Sequence, residues 1–254
     1  MKIVVAGGTG LVGSQVAARL RDAGHDVASI SRREGVNLLT GDGLDAALAG
    51  ADAVIDCSNV DTLSRSKAVE FFSTVARNVG AAASTASVSR IVVLSIVGID
   101  RIPFGYYEGK LAQEQEYRAS GVPLTILRAT QFFEFAETNL ARVPGPFALI
   151  PRMLTQAVAS SEVAGVLIDL ATTPAPKPRG EAIVELAGPE QHQLVDLARR
   201  VARARRMRKL VIPVTLPGAA SRPMATGALR PEGDDYLKGT ITFTEWLSNT
   251  LQTP

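Results

Sequence analysis

Cysteine is nearly missing from this chain: Cys57 stands alone among 254 residues. That excludes an internal disulfide framework and a cysteine-rich zinc site. Two histidines, His25 and His192, leave too little imidazole for a histidine-based centre, so no metal is expected. Net charge is also small. Lys+Arg 27 minus Asp+Glu 25 gives +2, and global charge makes no case for a nucleic-acid or membrane partner. No apolar run approaches the about 20 residues of a membrane span. The opening MKIVVAGGTG breaks at glycines before a signal-peptide core could form, and no cleavage-like sequence follows it. A cytoplasmic protein is expected. Internal repeats and low-complexity segments are absent as well.

What is present is ordinary globular composition, 46% hydrophobic and 20% charged, which excludes wholesale disorder and fibrous repeats. The length predicts between one and two domains, and a chain of this size buries roughly three quarters of its unfolded surface.

The first half alternates strand and helix signals. Strands are predicted at 2–6, 26–31, 51–57, 90–95 and 123–128, with a presumed further strand just before Gly41. Helices are predicted at 14–23, 44–49, 67–79 and 110–119. Such alternation with short loops implies parallel βαβ units with right-handed crossovers. The second half is broken by Pro144, Pro146, Pro151, Pro174, Pro176 and Pro178. Helices are predicted there at 162–171, 193–207 and 244–251, strands at 182–187 and 210–214, and a loop at 227–239.

Gly7-Gly8-Thr9-Gly10-Leu11-Val12-Gly13 follows the first strand and opens a helix. Glycines there permit a tight turn and let a pyrophosphate approach the backbone. The N–H groups of residues such as Thr9, Leu11 and Val12, and the positive helix end, then attract its charge. A merely tight strand-to-helix turn is the plainer alternative. The following βαβ pattern favours dinucleotide binding in a Rossmann-type, doubly wound parallel sheet.

About 20 positions further on, the second strand ends in Ser31-Arg32-Arg33, where NAD sites commonly carry an acid. Two guanidinium groups suit a 2′-phosphate, which predicts NADP(H) over NAD. Asp42, after the presumed third strand, is a candidate for the adenine. Asp56-Cys57-Ser58-Asn59 ends the next strand, where Cys57 and Ser58 are candidates for cofactor contact. Cys57 otherwise reads as a small buried residue.

A third group is Ser95, Tyr106, Tyr107 and Lys110. Tyr106 and Lys110 form Tyr-x-x-x-Lys and share a helix face. An ammonium so placed would lower a phenol's pKa for proton exchange with a carbonyl, and Ser95 would hold the same oxygen. Packed tyrosines and a surface lysine are the alternative.

GGTGLVG, SRR, LSIVGID, YYEGKLAQE and LTILRATQFFEF, with ELAGPE and the terminal TFTEWL, resemble an atypical short-chain dehydrogenase/reductase of the NmrA-like, isoflavone-reductase-like type. The resemblance covers nearly the whole chain. It implies an NAD(P)-binding Rossmann core over 1–150, rejoined by a strand near 182–187, and a small C-terminal substrate lobe over 151–254 with a cleft between. It also implies that Gly7, Gly10 and Gly13 bind pyrophosphate, that Arg32 meets the 2′-phosphate, and that Ser95, Tyr106 and Lys110 flank the nicotinamide. Lys110 would also hold the nicotinamide ribose. The spacing from Ser95 to Tyr106 is eleven positions and to Tyr107 twelve, shorter than is typical. Tyr106, Tyr107 or neither is the acid.

Gln131, Phe132 and Phe133 follow the strand at 123–128 and are candidates, with Tyr107, for lining an apolar substrate site. The rings alternatively seal the two lobes. Finally, Arg199, Arg200, Arg203, Arg205, Arg206, Arg208 and Lys209 place seven basic residues in eleven positions. A solvated helix face is the plain reading and an anionic partner the sharper one. The expected function is NADPH-dependent hydride transfer to a small apolar carbonyl or quinone. A non-enzymatic NADP(H)-sensing regulator with a protein partner is the second expectation, and a sugar-nucleotide epimerase or dehydratase the third. A homo-oligomer is compatible with each, and a nucleic-acid partner is not expected.

Overall fold

The structure, a computed structural model, describes residues 1–142, 144–173 and 181–252. The predicted interruptions at Pro174, Pro176 and Pro178 lie outside the described residues.

In chain order the elements are β1 (Lys2–Ala6), α1 (Leu11–Asp22), β2 (Asp26–Ile30), α2 (Leu44–Leu48), β3 (Ala53–Asp56), α3 (Arg65–Thr85), β4 (Arg90–Ile96), α4 (Gly105–Ala119), β5 (Leu124–Ala129) and α5 (Glu134–Ala141). There follow β6 (Phe147–Pro151), β7 (Leu154–Thr155), α6 (Ser160–Thr172), β8 (Ala182–Ala187), β9 (His192–Gln193), α7 (Leu194–Ala204), β10 (Leu210–Val214), α8 (Ser221–Thr226), β11 (Leu237–Lys238) and α9 (Phe243–Gln252). Seven strands form one parallel sheet in the order β11-β8-β5-β4-β3-β1-β2. The order reverses direction at β1, the switch point of a doubly wound α/β sheet.

Continuous apolar runs explain the central strands. Ile3 to Ala6 in β1 and Ala53 to Ile55 in β3 are wholly buried, as expected for parallel strands covered on both faces. Helix α1 buries Val12, Gly13, Val16, Ala17 and Leu20, and the chain turns through Gly24 at φ 81°. Helix α3 starts on the Ser64 side chain, which accepts from the Lys67 N–H. Helix α4 packs tightly on α3: a Cβ at Gly109 would stand 2.8 Å from the Ala68 carbonyl. Glycine at that crossing therefore fixes where α4 lies, and α4 carries Tyr106, Tyr107 and Lys110.

Two compact units appear. The first comprises Met1–Ser95, Phe104–Arg128 and Val163–Val184, and the second Ile96–Pro103, Ala129–Glu162 and Glu185–Pro254. The second unit contains a two-stranded parallel sheet, β6 with β10, and an antiparallel pair, β7 with β9.

Two expectations fail locally. No strand precedes Gly41, because Gly35, Gly41 and Gly43 all take left-handed backbone at φ 80°, 85° and 80°. Asn37 adds a turn, its side chain accepting from the Leu39 N–H at 3.0 Å. The strand at 53–56 is thus the third. The 227–239 segment is also not all loop, since Leu237 and Lys238 pair with Leu186 and Ala187.

Candidate functional site

The glycine loop is closed by its own backbone. The Gly7 N–H donates to Ile30 O at 3.1 Å and Gly10 N–H to Gly7 O at 2.9 Å. Gly7 has φ 73°, and a Cβ on it would stand 2.8 Å from Ser58 N and 2.9 Å from the Cys57 carbonyl. A Cβ on Gly13 would stand 2.3 Å from Gly7 O. Both positions need glycine. Gly10 caps α1 without a side-chain bond, and no acid stands in the first turn. The opening amides around Thr9, Leu11 and Val12 therefore keep their positive field.

At the end of β2, Ser31 donates to Glu34 Oε2 at 2.9 Å and so ties a short 3₁₀ turn over Arg32–Glu34. Arg32 and Arg33 are exposed, and neither has an ion-pair partner among the described residues. Asp42 accepts from Thr40 Oγ1 at 2.6 Å on the exposed turn.

Beyond β3, the buried Asp56 is a hub. Its Oδ1 accepts from the Ser58 N–H at 2.7 Å, and its Oδ2 accepts from Gln113 Nε2 at 2.8 Å and Tyr117 OH at 2.6 Å. The carboxylate thereby fixes the Cys57–Ser58–Asn59 loop against α4. Ser58 Oγ is buried without a hydrogen-bond partner among the described residues. Desolvation, and secondarily the Asp56 charge, push the Cys57 thiol well up, so it stays protonated and unreactive.

The Ser95–Tyr106–Lys110 group is assembled differently from expectation. Lys110 is buried, and its Nζ donates to Leu94 O at 2.7 Å and to Gln113 Oε1. It also sits over the Phe72 ring, 4.6 Å from the centroid. Burial lowers Lys110 to about 8, against the opposing pull of the Asp56 and Glu114 carboxylates. Tyr106 OH donates instead to Asn59 Oδ1 at 2.7 Å. Burial, with the nearby Asp61 charge, pushes its phenol up to about 12. The expected lowering by Lys110 is reversed, because desolvation dominates and the ammonium is engaged elsewhere. Tyr107 is buried, and desolvation pushes its phenol well above the ordinary range.

Ser95 also finds another partner. Its hydroxyl donates to Glu114 Oε1 at 2.6 Å. Glu114 is fully buried and clamped by Arg128, Nε at 3.0 Å and Nη2 at 2.8 Å, with Arg118 at 3.2 Å. Ser95 is thus committed to an ionic cluster rather than held open for an acceptor oxygen.

In the second unit, Gln131 Oε1 accepts from Thr155 Oγ1 at 2.7 Å, and Phe132 bridges to Val158. Phe133 departs from its predicted lining role. It is 1% exposed and packs on Phe243 and Trp246 at 5.3 and 5.6 Å between centroids. Of the basic run, Arg200 lies over the Phe243 ring at 4.7 Å, Arg199 pairs with Asp196 and Arg205 with Glu137.

Sequence reasoning missed the Asp56, Asn59, Gln113, Glu114 and Tyr117 partners. One signal was present: Lys110, Gln113, Glu114 and Tyr117 recur at helical spacing on one face of α4, and that face turns out to be buried. Four polar groups on an inward face mark a buried network.

Parallel strands, a glycine turn that only a small backbone fits, an uncapped helix end and a basic corner define a dinucleotide-binding α/β protein. A pyrophosphate fits this place: the Gly7 and Gly13 cradle would be filled by any Cβ, and Ser58 Oγ beside it has no hydrogen-bond partner among the described residues. The family model described as NAD(P)H-binding matches residues 7–174, and the chain belongs to that family. A curated relative from Streptomyces griseus, a (4-alkanoyl-5-oxo-2,5-dihydrofuran-3-yl)methyl phosphate reductase, is 33% identical over 158 residues. That match covers 56% of this chain and spans only about half, 51%, of the relative. Among solved structures, a Citrobacter sp. triphenylmethane reductase complexed with NADP(H) aligns at TM-score 0.70 and 17% identity, over 98% of this chain and 99% of that one. An NADPH-dependent quinone oxidoreductase from Escherichia coli aligns at TM-score 0.70 and 18% identity, over 98% of this chain and all (100%) of that one. At these identities the likeness is one of fold.

Proposed function

We propose that the chain is an NADPH-dependent oxidoreductase whose acceptor is a small apolar carbonyl or, better, a quinone. The observation that carries this reading is the divergence of Lys110 from Tyr106: the ammonium binds Leu94 O and Gln113 while the phenol binds Asn59. A hydroxyl held near 12 is a weak proton donor at neutral pH. An acceptor that needs no strong acid suits that site. A quinone is such an acceptor, since its reduced anion takes its proton from water.

The residues divide the work. Gly7, Gly10 and Gly13 let a pyrophosphate reach the α1 amides, and Arg32, with Arg33, pairs a 2′-phosphate. Ser58 Oγ donates to the ribose side of the cofactor. The reduced dinucleotide, when bound, supplies the hydride. Tyr106 carries one phenolic proton, which goes to Asn59 Oδ1 in this structure; it gives up that bond to offer a neutral hydrogen bond to the acceptor oxygen. Asp56 holds the Ser58 loop, and Ser95 braces Glu114 rather than the acceptor.

The same divergence also favours a cofactor-sensing regulator, which would need no acid at all. NADPH consumption against a panel of quinones and aldehydes separates the two. Turnover of at least one acceptor is expected. Tight NADPH binding with no turnover across the panel, and different affinities for the oxidised and reduced forms, would leave the sensor.

A further inference from the structure

The near-neutral total charge hides a local imbalance. No Asp or Glu occurs from 138 to 161 or from 197 to 231. Those two stretches hold Arg142 and Arg152 in the first, and in the second Arg199, Arg200, Arg203, Arg205, Arg206, Arg208, Lys209, Arg222 and Arg230. They also supply both strands of the β6–β10 sheet.

That sheet has an open apolar face. Its register pairs Phe147 with Leu210 and Leu149 with Ile212, and alternation puts these four side chains on one side. Ala148, Ile150 and Val211 on the other side are buried. Phe147 is 51% exposed, Leu149 50% and Leu210 61%. Large side chains left clustered in water mark an interaction surface, unlike the singly scattered exposed leucines elsewhere. The basic run leads directly into this end of the sheet, where the Leu210 N–H donates to Pro146 O at 2.7 Å. Arg206 and Arg208 are exposed and have no ion-pair partner among the described residues.

The charge decides the occupant. A second copy meeting this face about a two-fold axis would add its own Arg206 and Arg208 to the contact, and neither stretch holds an acid to pair with them. A negatively charged, apolar-cored partner is complementary on both counts. We infer that the β6–β10 face docks on an anionic lipid bilayer. Phe147, Leu149 and Leu210 enter the boundary between headgroups and acyl chains, and Arg206 and Arg208 hold lipid phosphates. No span is involved: no helix among the described residues is long and apolar enough to cross a membrane. The inference is independent of the reaction proposed above.

The test is flotation of the full chain with vesicles of phosphatidylglycerol and phosphatidylcholine, against vesicles of phosphatidylcholine alone. Flotation is expected only with the anionic vesicles, and it should weaken as salt rises. Arg206→Ser with Arg208→Ser should weaken binding about 30-fold, at about fivefold per arginine near the surface. Phe147→Ser with Leu149→Ser should weaken it by about tenfold or more, with an unchanged circular dichroism spectrum because both side chains already face water. If that pair disturbs folding, Leu210→Gln alone takes its place with the same expectation. Equal flotation with both vesicle types, or binding indifferent to either substitution pair, would overturn the inference. So would a dimer by light scattering that Phe147→Ser with Leu149→Ser dissolves, since the face would then belong to a second copy.

Discussion

Tyr106 and Lys110 stand one helical turn apart on α4, yet the two polar ends go to different elements. The phenol donates to Asn59 after β3, and the ammonium donates to Leu94 O in β4 and to Gln113. The motif is present and the coupling it usually implies is not. A phenol pushed up to about 12 stays protonated across the neutral range. Tyr106→Phe should therefore lower NADPH-dependent quinone reduction by less than about tenfold, where loss of a true general acid costs about 10²–10⁴-fold. The pH profile of kcat should show no tyrosine ionisation below about pH 10. A larger loss, or a limb near neutral pH that Tyr106→Phe abolishes, would restore the lysine-coupled acid.

Lys110 carries a stability signature of its own. Its pKa falls from 10.5 to about 8 on folding, chiefly through burial. Between those values the unfolded chain binds more protons than the folded one, so stability rises with pH through that window. Below about 8 the buried ammonium costs the fold on the order of 3 kcal/mol relative to high pH. Lys110→Met removes the titrating group. Urea unfolding of both proteins from neutral pH to about 10.5 should show the wild type gaining stability relative to the variant as pH rises. A constant difference would place the lysine in a more solvated setting.

The glycine loop separates two superficially similar substitutions. At Gly7 an alanine needs φ 73° and pushes its Cβ into the backbone of Cys57 and Ser58. The left-handed backbone alone costs about 1–2 kcal/mol, and neither backbone segment can yield easily. At Gly8 the closest atom is Ser29 Oγ at 1.9 Å, the tip of a side chain that a rotamer change can move. Gly7→Ala should abolish detectable NADPH binding, whereas Gly8→Ala should keep measurable binding, improved by adding Ser29→Ala. Titration calorimetry of the three variants distinguishes this order from its reverse.

What the sequence made legible was local, and what it concealed was long-range. β1, the glycine turn and α1 follow from a β-branched run, three spaced glycines and a helical apolar stripe, all within 22 residues of the chain start. Strands at 53–56, 90–96 and 124–129 were equally plain, because parallel strands buried on both faces read as unbroken apolar runs. The false strand before Gly41 arose because left-handed glycines mark the turn only through φ, which composition does not display. Phe132 and Phe133 are adjacent and chemically identical in sequence. Only Phe243 and Trp246, more than a hundred positions away, make Phe133 a buried seal. The partner of Ser95 was hidden for the same reason, since Glu114 reads as a surface helix acid until Arg128 of β5 arrives to neutralise it.

That last arrangement yields a sharp contrast between neighbours. Ser95 hydrogen-bonds Glu114, but Arg128 and Arg118 hold the carboxylate in any case. Ser95→Ala should then cost about 1–2 kcal/mol of stability and leave quinone reduction within a few-fold of wild type. Glu114→Leu strips a bidentate carboxylate partner from Arg128, whose side chain is 11% exposed. Breaking such a pair costs about 3–5 kcal/mol. Arg128→Leu in the same chain should recover part of that loss, because an apolar pair buries no charge. Denaturant midpoints for the two single variants and the double variant measure this coupling directly. Should Ser95→Ala instead lose activity about a hundredfold or more with little change in stability, Ser95 would be returned to the reacting centre.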